Sequence, residues 1–335
     1  MKCSPFYFLL SFLKLTALMR NNLLFFLILM SLRPMAAQNV LIEVQEFGDN
    51  PGDLQMFTYV PEKVAESPAL VVVLHGCTHT GEEMDRLTGW SRLAGQYGFV
   101  LLYPQQKAAN NVQKCFNWFE GKDIQKDQGE TLSIKNMIDQ TIRDHDVDTA
   151  EVFITGMSAG GAMAAVMMAG YPALFKASGI MSGVPYGGAA TLNEGVLVMS
   201  GGISKSGEEW GRLVKQQNPG FAGPYPKLLL IHGVDDPLVK ISNADALFTQ
   251  WSYLHGLSGA EQKAKAAFEN NEAVKRFSLG EEETIIRYDI DGLGHAIAVD
   301  PGEGERQGGQ TDLFAKDVDF YSTYWIARFF ELIEK

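Results

Sequence analysis

The chain has 335 residues and carries 40 Asp and Glu against 28 Lys and Arg, a formal net charge of −12 at pH 7. That excess of negative charge argues against nucleic acid and against an anionic membrane surface as partners. Cysteine is sparse, and no cluster of His and Cys accompanies it, so no metal site is expected.

The first segment reads as an export signal. Met19-Arg20-Asn21-Asn22 is a short basic region, Leu23 to Leu32 is an apolar run, and Pro34-Met35-Ala36-Ala37 offers a small-residue cleavage site before Gln38. The apolar run falls short of the roughly 20 residues that span a bilayer, so no stable membrane insertion is expected. An N-terminal anchor is the alternative. Residues 1–37 are therefore expected to be a signal peptide, with Met19 as a candidate natural start, and 38–335 a catalytic domain released to the periplasm or secreted. Lys2, Lys14, Arg20 and Arg33 leave with the signal, so the mature surface is more acidic still. Cys77 and Cys115 remain. In an exported chain two cysteines suggest one disulfide, with two buried free thiols as the alternative.

Strands and helices then alternate. Leu41 to Phe47 and Gln55 to Val60 read as an antiparallel edge hairpin. Leu70 to Leu74, Phe99 to Tyr103, Val152 to Thr155, Ala177 to Met181, Lys227 to Ile231 and Thr284 to Tyr288 read as further strands. Several are continuous apolar runs, as expected of strands covered on both faces. A helix begins near Thr80, where Glu83 completes a capping-box spacing. A second runs from about Glu130 to Ile142, with Leu132, Ile134, Met137 and Ile138 on its apolar side. The last spans Asp317 to Glu334, with Phe320, Tyr324, Phe329 and Ile333 as its core stripe. The pattern is an α/β domain with a mainly parallel sheet flanked by helices. Residues 183–226, rich in Gly and Pro and broken by a short helix near Gly207 to Gln216, read as a cap-like insertion. Nothing in the pattern marks an oligomeric state.

Within this frame Gly156-Met157-Ser158-Ala159-Gly160-Gly161 follows a strand and precedes the helical run Ala162 to Ala169. Strand, sharp turn and helix are the context that makes Gly-x-Ser-x-Gly a nucleophile elbow. The alternative is a glycine-rich turn with a structural serine. The helix end offers unpaired N–H groups to a developing oxyanion, with Ala159 the first of them. A serine nucleophile needs a base and an orienting acid, in the chain order Ser, acid, His. His232, His255 and His295 follow Ser158. His232 ends a strand and is expected to shape a loop; His255 falls with Trp251 and Leu254 in an amphipathic helix. His295, in the loop Gly292-Leu293-Gly294-His295-Ala296 after the last strand, is the expected base. Asp235 and Asp236 both follow the strand Lys227 to Ile231; Asp236 is preferred. The second oxyanion donor is expected from His75-Gly76-Cys77-Thr78, at the N–H of Cys77. A Cys77–Cys115 bond would clamp that loop to Asn117-Trp118-Phe119. Phe116, Trp118, Trp210, Phe221 and Tyr225 are candidate walls for an aromatic acyl group or a sugar, with core packing as the alternative.

Leu74-His75-Gly76-Cys77, Thr88-Gly89-Trp90, Tyr103-Pro104-Gln105-Gln106, Cys115-Phe116-Asn117-Trp118-Phe119, the Ser158 elbow and His232-Gly233-Val234-Asp235-Asp236-Pro237-Leu238-Val239 occur in that order. Together they resemble the polyhydroxybutyrate depolymerase-type esterases, a group overlapping feruloyl and acetylxylan esterases of the first carbohydrate esterase family. The resemblance covers about residues 55–300. It implies an α/β-hydrolase fold, a Ser158–Asp236–His295 triad, a Cys77–Cys115 pair, Trp118 near the pocket and no cofactor. Residues 183–226 follow no family pattern. No linker or polymer-binding module is evident, which shifts the expected substrate toward a soluble or oligomeric ester such as an acylated plant-wall oligosaccharide. A hydroxybutyrate oligomer is the alternative; a serine peptidase and a non-catalytic binding protein of the same fold rank below.

Overall fold

The computed structural model describes residues 41–333, so the expected signal segment lies outside the described residues. The first half contains β1 (Ile42–Val44), β2 (Gln55–Tyr59), β3 (Leu70–Leu74), α1 (Gly81–Thr88), α2 (Trp90–Tyr97), β4 (Val100–Gln105), α3 (Gly129–His145), β5 (Val152–Met157) and α4 (Ala159–Gly170). The second half contains β6 (Ala177–Met181), α5 (Leu192–Met199), α6 (Gly207–Gln217), β7 (Lys227–Gly233), α7 (Ser242–Leu254), β8 (Lys263–Lys265), β9 (Val274–Leu279), β10 (Ile285–Ile290), β11 (Ile297–Val299), β12 (Ala315–Asp317) and α8 (Ser322–Phe329).

Ten strands form one sheet in the order β1-β2-β4-β3-β5-β6-β7-β10-β9-β8. From β4 to β10 every neighbour is parallel. Both margins are antiparallel, through β1–β2–β4 on one side and β10–β9–β8 on the other. The parallel centre is where the continuous apolar runs lie. Along β3 the side chains alternate between two cores: Leu70, Val72 and Leu74 join the one that also holds Ile134 and Met163, while Val71 and Val73 join the one that holds Trp90 and Ile326. All five are fully buried, each contributing about 1.5–3 kcal/mol relative to exposure. Thus α3 and α4 cover one face, and α1, α2 and α8 the other.

The mainly parallel sheet flanked by helices agrees with the sequence, as does the capping box at Thr80 and Glu83. Several elements differ from the expected ones. The first strand is only Ile42–Val44, with Phe47 packed into the core beyond it. The strand β9 was not expected. The segment expected to be one helix from Asp317 begins instead as β12, paired with β11, turns at Asp319 (φ 51°) and becomes helical only at Ser322. Phe320, Tyr324 and Ile333 are buried, whereas Phe329 is half-buried. Residues 183–226, expected to be a cap-like insertion broken by one helix, hold two, α5 and α6.

The chain order reverses at β3, which has β4 on one side and β5 on the other. Loops leaving the carboxyl ends of β3 and β5 therefore meet at a switch point, the usual crevice for ligands in open α/β sheets.

Candidate active site

Ser158 sits between β5 and α4 with φ 56° and ψ −118°, a backbone conformation that a side-chain-bearing residue adopts only under local constraint. The constraint is close packing. A Cβ on Gly160 would lie 2.3 Å from the Leu74 carbonyl oxygen, and one on Gly156 would lie 2.4 Å from the Gly160 backbone. Glycine at both positions lets the first turn of α4 lie against the end of β3. The Ser158 N–H donates to the Met181 carbonyl at 2.9 Å, which ties the turn to β6.

His295 Nε2 lies 2.8 Å from Ser158 Oγ, and His295 Nδ1 lies 2.7 Å from Asp236 Oδ2. The Asp236 side chain is fully buried. Burial pushes its carboxyl up, but the His295 hydrogen bond and the N–H groups of Val239 and Leu238 outweigh that and hold it below the usual range. Its Oδ1 accepts both N–H groups at 2.8 Å. An ionised Asp236 accepts from Nδ1, so the imidazole proton resides there. The Nε2 lone pair is then free to take the serine proton.

The loops that carry these groups are themselves tied down. His232 on β7 is buried, which pushes its pKa down; the neutral ring donates from Nε2 to the Val239 carbonyl at 2.8 Å. That bond folds the 233–239 loop so that Leu238 and Val239 aim at Asp236. The neighbouring Asp235 is exposed and accepts the Gly292 N–H at 2.8 Å, which binds this loop to the one bearing His295. His255 caps the end of α7 and bonds the Pro226 carbonyl, apart from the serine.

On the other side of Ser158, His75 is fully buried at the end of β3, and burial pushes its pKa down to about 4. The neutral ring accepts the Gln106 N–H at Nε2 (3.0 Å), so Nδ1 carries the proton and donates to the Gly76 carbonyl at 2.7 Å. This holds the turn that presents Cys77. Among the described residues no acceptor takes the N–H of Cys77 or of Ala159. Cys77 is bonded to Cys115 across a separation of 38 residues.

Above the serine opens a cleft of about 630 Å³ lined by Cys77, Ser158, Ala159 and Trp118. One flank is apolar, with Leu192, Val196 and Met199 from α5; the other carries Asn110, Asn111 and Asn117. Four of the five expected wall residues are elsewhere. Phe116 is fully buried with its ring 4.8 Å from that of His75, beneath the Cys77 turn. Trp210 is buried on the inner stripe of α6 with Val214, and its carbonyl accepts from Gln250 of α7. Phe221 and Tyr225 line a separate hollow with Asn218 and His255. The residues of α5 were missed because that helix was not expected. Asp300, Asp317 and Asp319 bring oxygens within 4.8 Å of one another, but none lines the serine cleft.

Residues 54–276 match the model of the esterase PHB depolymerase family. The chain belongs to that family. It is 37% identical over 318 residues to the poly(3-hydroxyalkanoate) depolymerase C of Paucimonas lemoignei, covering 95% of this chain and 76% of that protein. It is 31% identical to feruloyl esterase B of Talaromyces funiculosus, covering 82% of this chain and 78% of the other. The acetyl xylan esterase structure from Aspergillus awamori superimposes with a TM-score of 0.71 at 29% identity, covering 76% of this chain and 94% of that one. The PHB depolymerase-type esterase fold is thus the α/β-hydrolase scaffold, and the protein is an esterase. Among its described residues no helix is long and apolar enough to cross a membrane.

Proposed function

We propose that the protein is an exported serine esterase that acts through an acyl-enzyme on acylated plant-wall oligosaccharides bearing feruloyl or acetyl esters. The observation that carries this reading is the hydrogen-bonded chain from Ser158 Oγ through His295 to the buried Asp236 at the floor of the cleft. Ser158 Oγ attacks the ester carbonyl carbon while its proton passes to His295 Nε2. The carbonyl oxygen becomes an oxyanion, and the N–H groups of Cys77 and Ala159 stabilise it. The tetrahedral centre collapses, the bond to the alcohol oxygen breaks, and that oxygen takes the proton from His295. A water then gives a proton to His295 and attacks the acyl carbon. Collapse returns the proton to Ser158 Oγ and frees the acid. Asp236 orients the imidazole throughout and offsets its transient positive charge.

The apolar flank suits an acyl chain or ring, and the Trp118 ring with the amide-rich flank suits a sugar or cinnamoyl face. The feruloyl and acetylxylan esterase relatives support that substrate class. One observation favours a second reading, a hydroxyalkanoate oligomer: the 37% identity to a polyhydroxyalkanoate depolymerase over 95% of the chain. Export rests on the basic-then-apolar segment before Gln38 and on the Cys77–Cys115 bond. Residues 183–226 act in this reading as a cap whose α5 closes one side of the cleft.

The test is a hydrolysis panel of methyl ferulate, acetylated xylan and a hydroxybutyrate trimer, with Ser158→Ala as control. The first two are expected to turn over at least tenfold faster than the trimer, and the variant to lose all three activities while staying folded. Preference for the trimer selects the second reading; substantial turnover by folded Ser158→Ala removes the mechanism.

A further inference from the structure

Glu130 lies in the first turn of α3, fully buried, and takes no part in the chemistry above. Its Oε2 accepts the Asn117 N–H at 2.9 Å, and its Oε1 accepts Nε2 of Gln106. Gln106 is the residue whose N–H fixes His75, and through it the turn carrying Cys77. Asn117 adjoins Trp118. One carboxyl therefore joins the segment that holds the Cys77 turn, through Gln106 and His75, to the segment that carries Trp118. The Gln106 amide cannot turn over to suit another partner, because its Oε1 already accepts the N–H of Lys107 at 3.0 Å and Nδ2 of Asn110 at 2.9 Å. Asp123 faces the carboxyl from the same loop, accepting the Glu130 N–H at 3.2 Å and Nδ2 of Asn117 at 3.3 Å. Among the described residues no Lys or Arg pairs with Glu130. Burial pushes its carboxyl up to about 8, against the pull of the Asn117 N–H, and Asp123 adds to the rise. A buried acid with no ion-pair partner is retained at a cost in stability, and the side-chain hydrogen bonds it makes here reach Asn117, which lines the cleft, and Gln106, which holds His75.

We propose that Glu130 is a positioning residue for ester hydrolysis: it locks the turn that presents the Cys77 N–H and the segment that presents Trp118 into one unit, setting both the oxyanion donor and the acyl wall. This rests on the reading that Cys77 supplies that donor. Its loss displaces the donor rather than deleting it, and a displacement near 1 Å costs about a hundredfold in rate.

Glu130→Gln preserves shape and still accepts from Asn117, but it turns an amide N–H₂ toward the N–H₂ of Gln106. The exchange Gln106→Glu with Glu130→Gln restores a donor and an acceptor with roles reversed, while residue 106 keeps an oxygen for Lys107 and Asn110. Active serine is counted with a fluorophosphonate probe, and kcat and KM are measured per labelled serine on p-nitrophenyl acetate and methyl ferulate. For Glu130→Gln, kcat is expected to fall at least tenfold on both esters. KM is expected to rise more for the ferulate than for the acetate, because the wall contacts the larger acyl group. The exchange is expected to recover most of kcat. A general loss of stability would lower the labelled fraction and leave kcat per labelled serine intact. If Glu130→Gln keeps kcat within about twofold of wild type, the inference fails while the Ser158 mechanism stands. If Glu130→Gln does not fold, the exchange decides: near wild-type turnover supports the inference, and a folded, fully labelled exchange variant slowed more than tenfold overturns it. If wild-type Ser158 takes no label, the underlying reading fails instead.

Discussion

The Asp236→Asn substitution tests the relay most directly, because the surrounding hydrogen bonds dictate how the new amide must sit. Asp236 Oδ1 accepts two backbone N–H groups, from Leu238 and Val239. An asparagine keeps its oxygen there, since turning the amide would set N–H₂ against two donors in a buried site. The N–H₂ then faces His295 Nδ1, where the carboxylate oxygen now sits at 2.7 Å. His295 must accept at Nδ1 and so carries its proton on Nε2, directed at Ser158 Oγ. In that tautomer the ring cannot take the serine proton. The loss expected for such a tautomer reversal is about ten-thousandfold in kcat, or about 5 kcal/mol of transition-state stabilisation. Asp235→Asn is the matched control. Asp235 is exposed and accepts only the Gly292 N–H among the described hydrogen bonds, which an asparagine oxygen can still accept, so kcat is expected to stay within about threefold. The assay is steady-state hydrolysis of p-nitrophenyl acetate at neutral pH, with melting curves to confirm folding. A folded Asp236→Asn enzyme with more than about a tenth of wild-type kcat, or a crippled Asp235→Asn, would refute the tautomer argument.

Reduction of the Cys77–Cys115 bond, which closes a loop of 38 residues' separation, is expected to cost about 4 kcal/mol in the chain-entropy model. For a domain of this size that is a fall of roughly 6 °C in Tm, accompanied by lower kcat because the Cys77 N–H is no longer held. Melting curves with and without reductant check it, and a reduced, alkylated enzyme with unchanged Tm and rate contradicts it. His75 gives a pH prediction. Its folded pKa of about 4 lies below the unfolded value of 6.5, so its contribution is complete above pH 6.5 and is lost as pH falls toward 4. The stability gap between wild type and His75→Gln is expected to narrow by up to about 3 kcal/mol across that window. Denaturant titrations at a series of pH values measure the gap, and one independent of pH would rule out a buried neutral His75.

The legible parts of the fold are those whose local sequence is uniform. Leu70–Leu74 and Lys227 to Ile231 read as strands because nearly every residue is apolar, and both faces of the sheet are covered. The strand β9 was hidden because Arg276 occupies a buried position on it. Its charge is met by Glu283, a partner supplied from the following turn that no window of the strand itself reveals. The late start of α8 has the same origin. Ala315–Asp317 is held extended by pairing with Ile297–Val299, a contact between distant segments, whereas the local pattern continues smoothly into the helix.

The site was more legible than the fold around it, and the reason is positional. Ser158, Asp236 and His295 each follow a strand of the parallel region at its carboxyl end, and each sits beside small or turn-forming residues that local sequence displays. Aromatic residues carry no such marker. Phe116 and Trp118 differ by two positions, yet one lies under the Cys77 turn and the other on the cleft. Glu130 did leave a trace: it stands four residues before Ile134, on the stripe that continues through Met137 and Ile138, so a helical period already places an acid on a buried face. An acid on an apolar stripe with no basic residue three or four places further along the helix must find its donors from another segment. Here they are the Asn117 N–H, beside Trp118, and the Gln106 amide, beside the N–H that holds His75. His75 and His232 follow the same logic on either side, each buried, neutral and spent on hydrogen bonds that include a backbone carbonyl. The buried polar groups around Ser158 thus divide by what they bond. Asp236 bonds His295 of the proposed relay, whereas Glu130, His75 and His232 bond the backbone and side chains of the neighbouring turns.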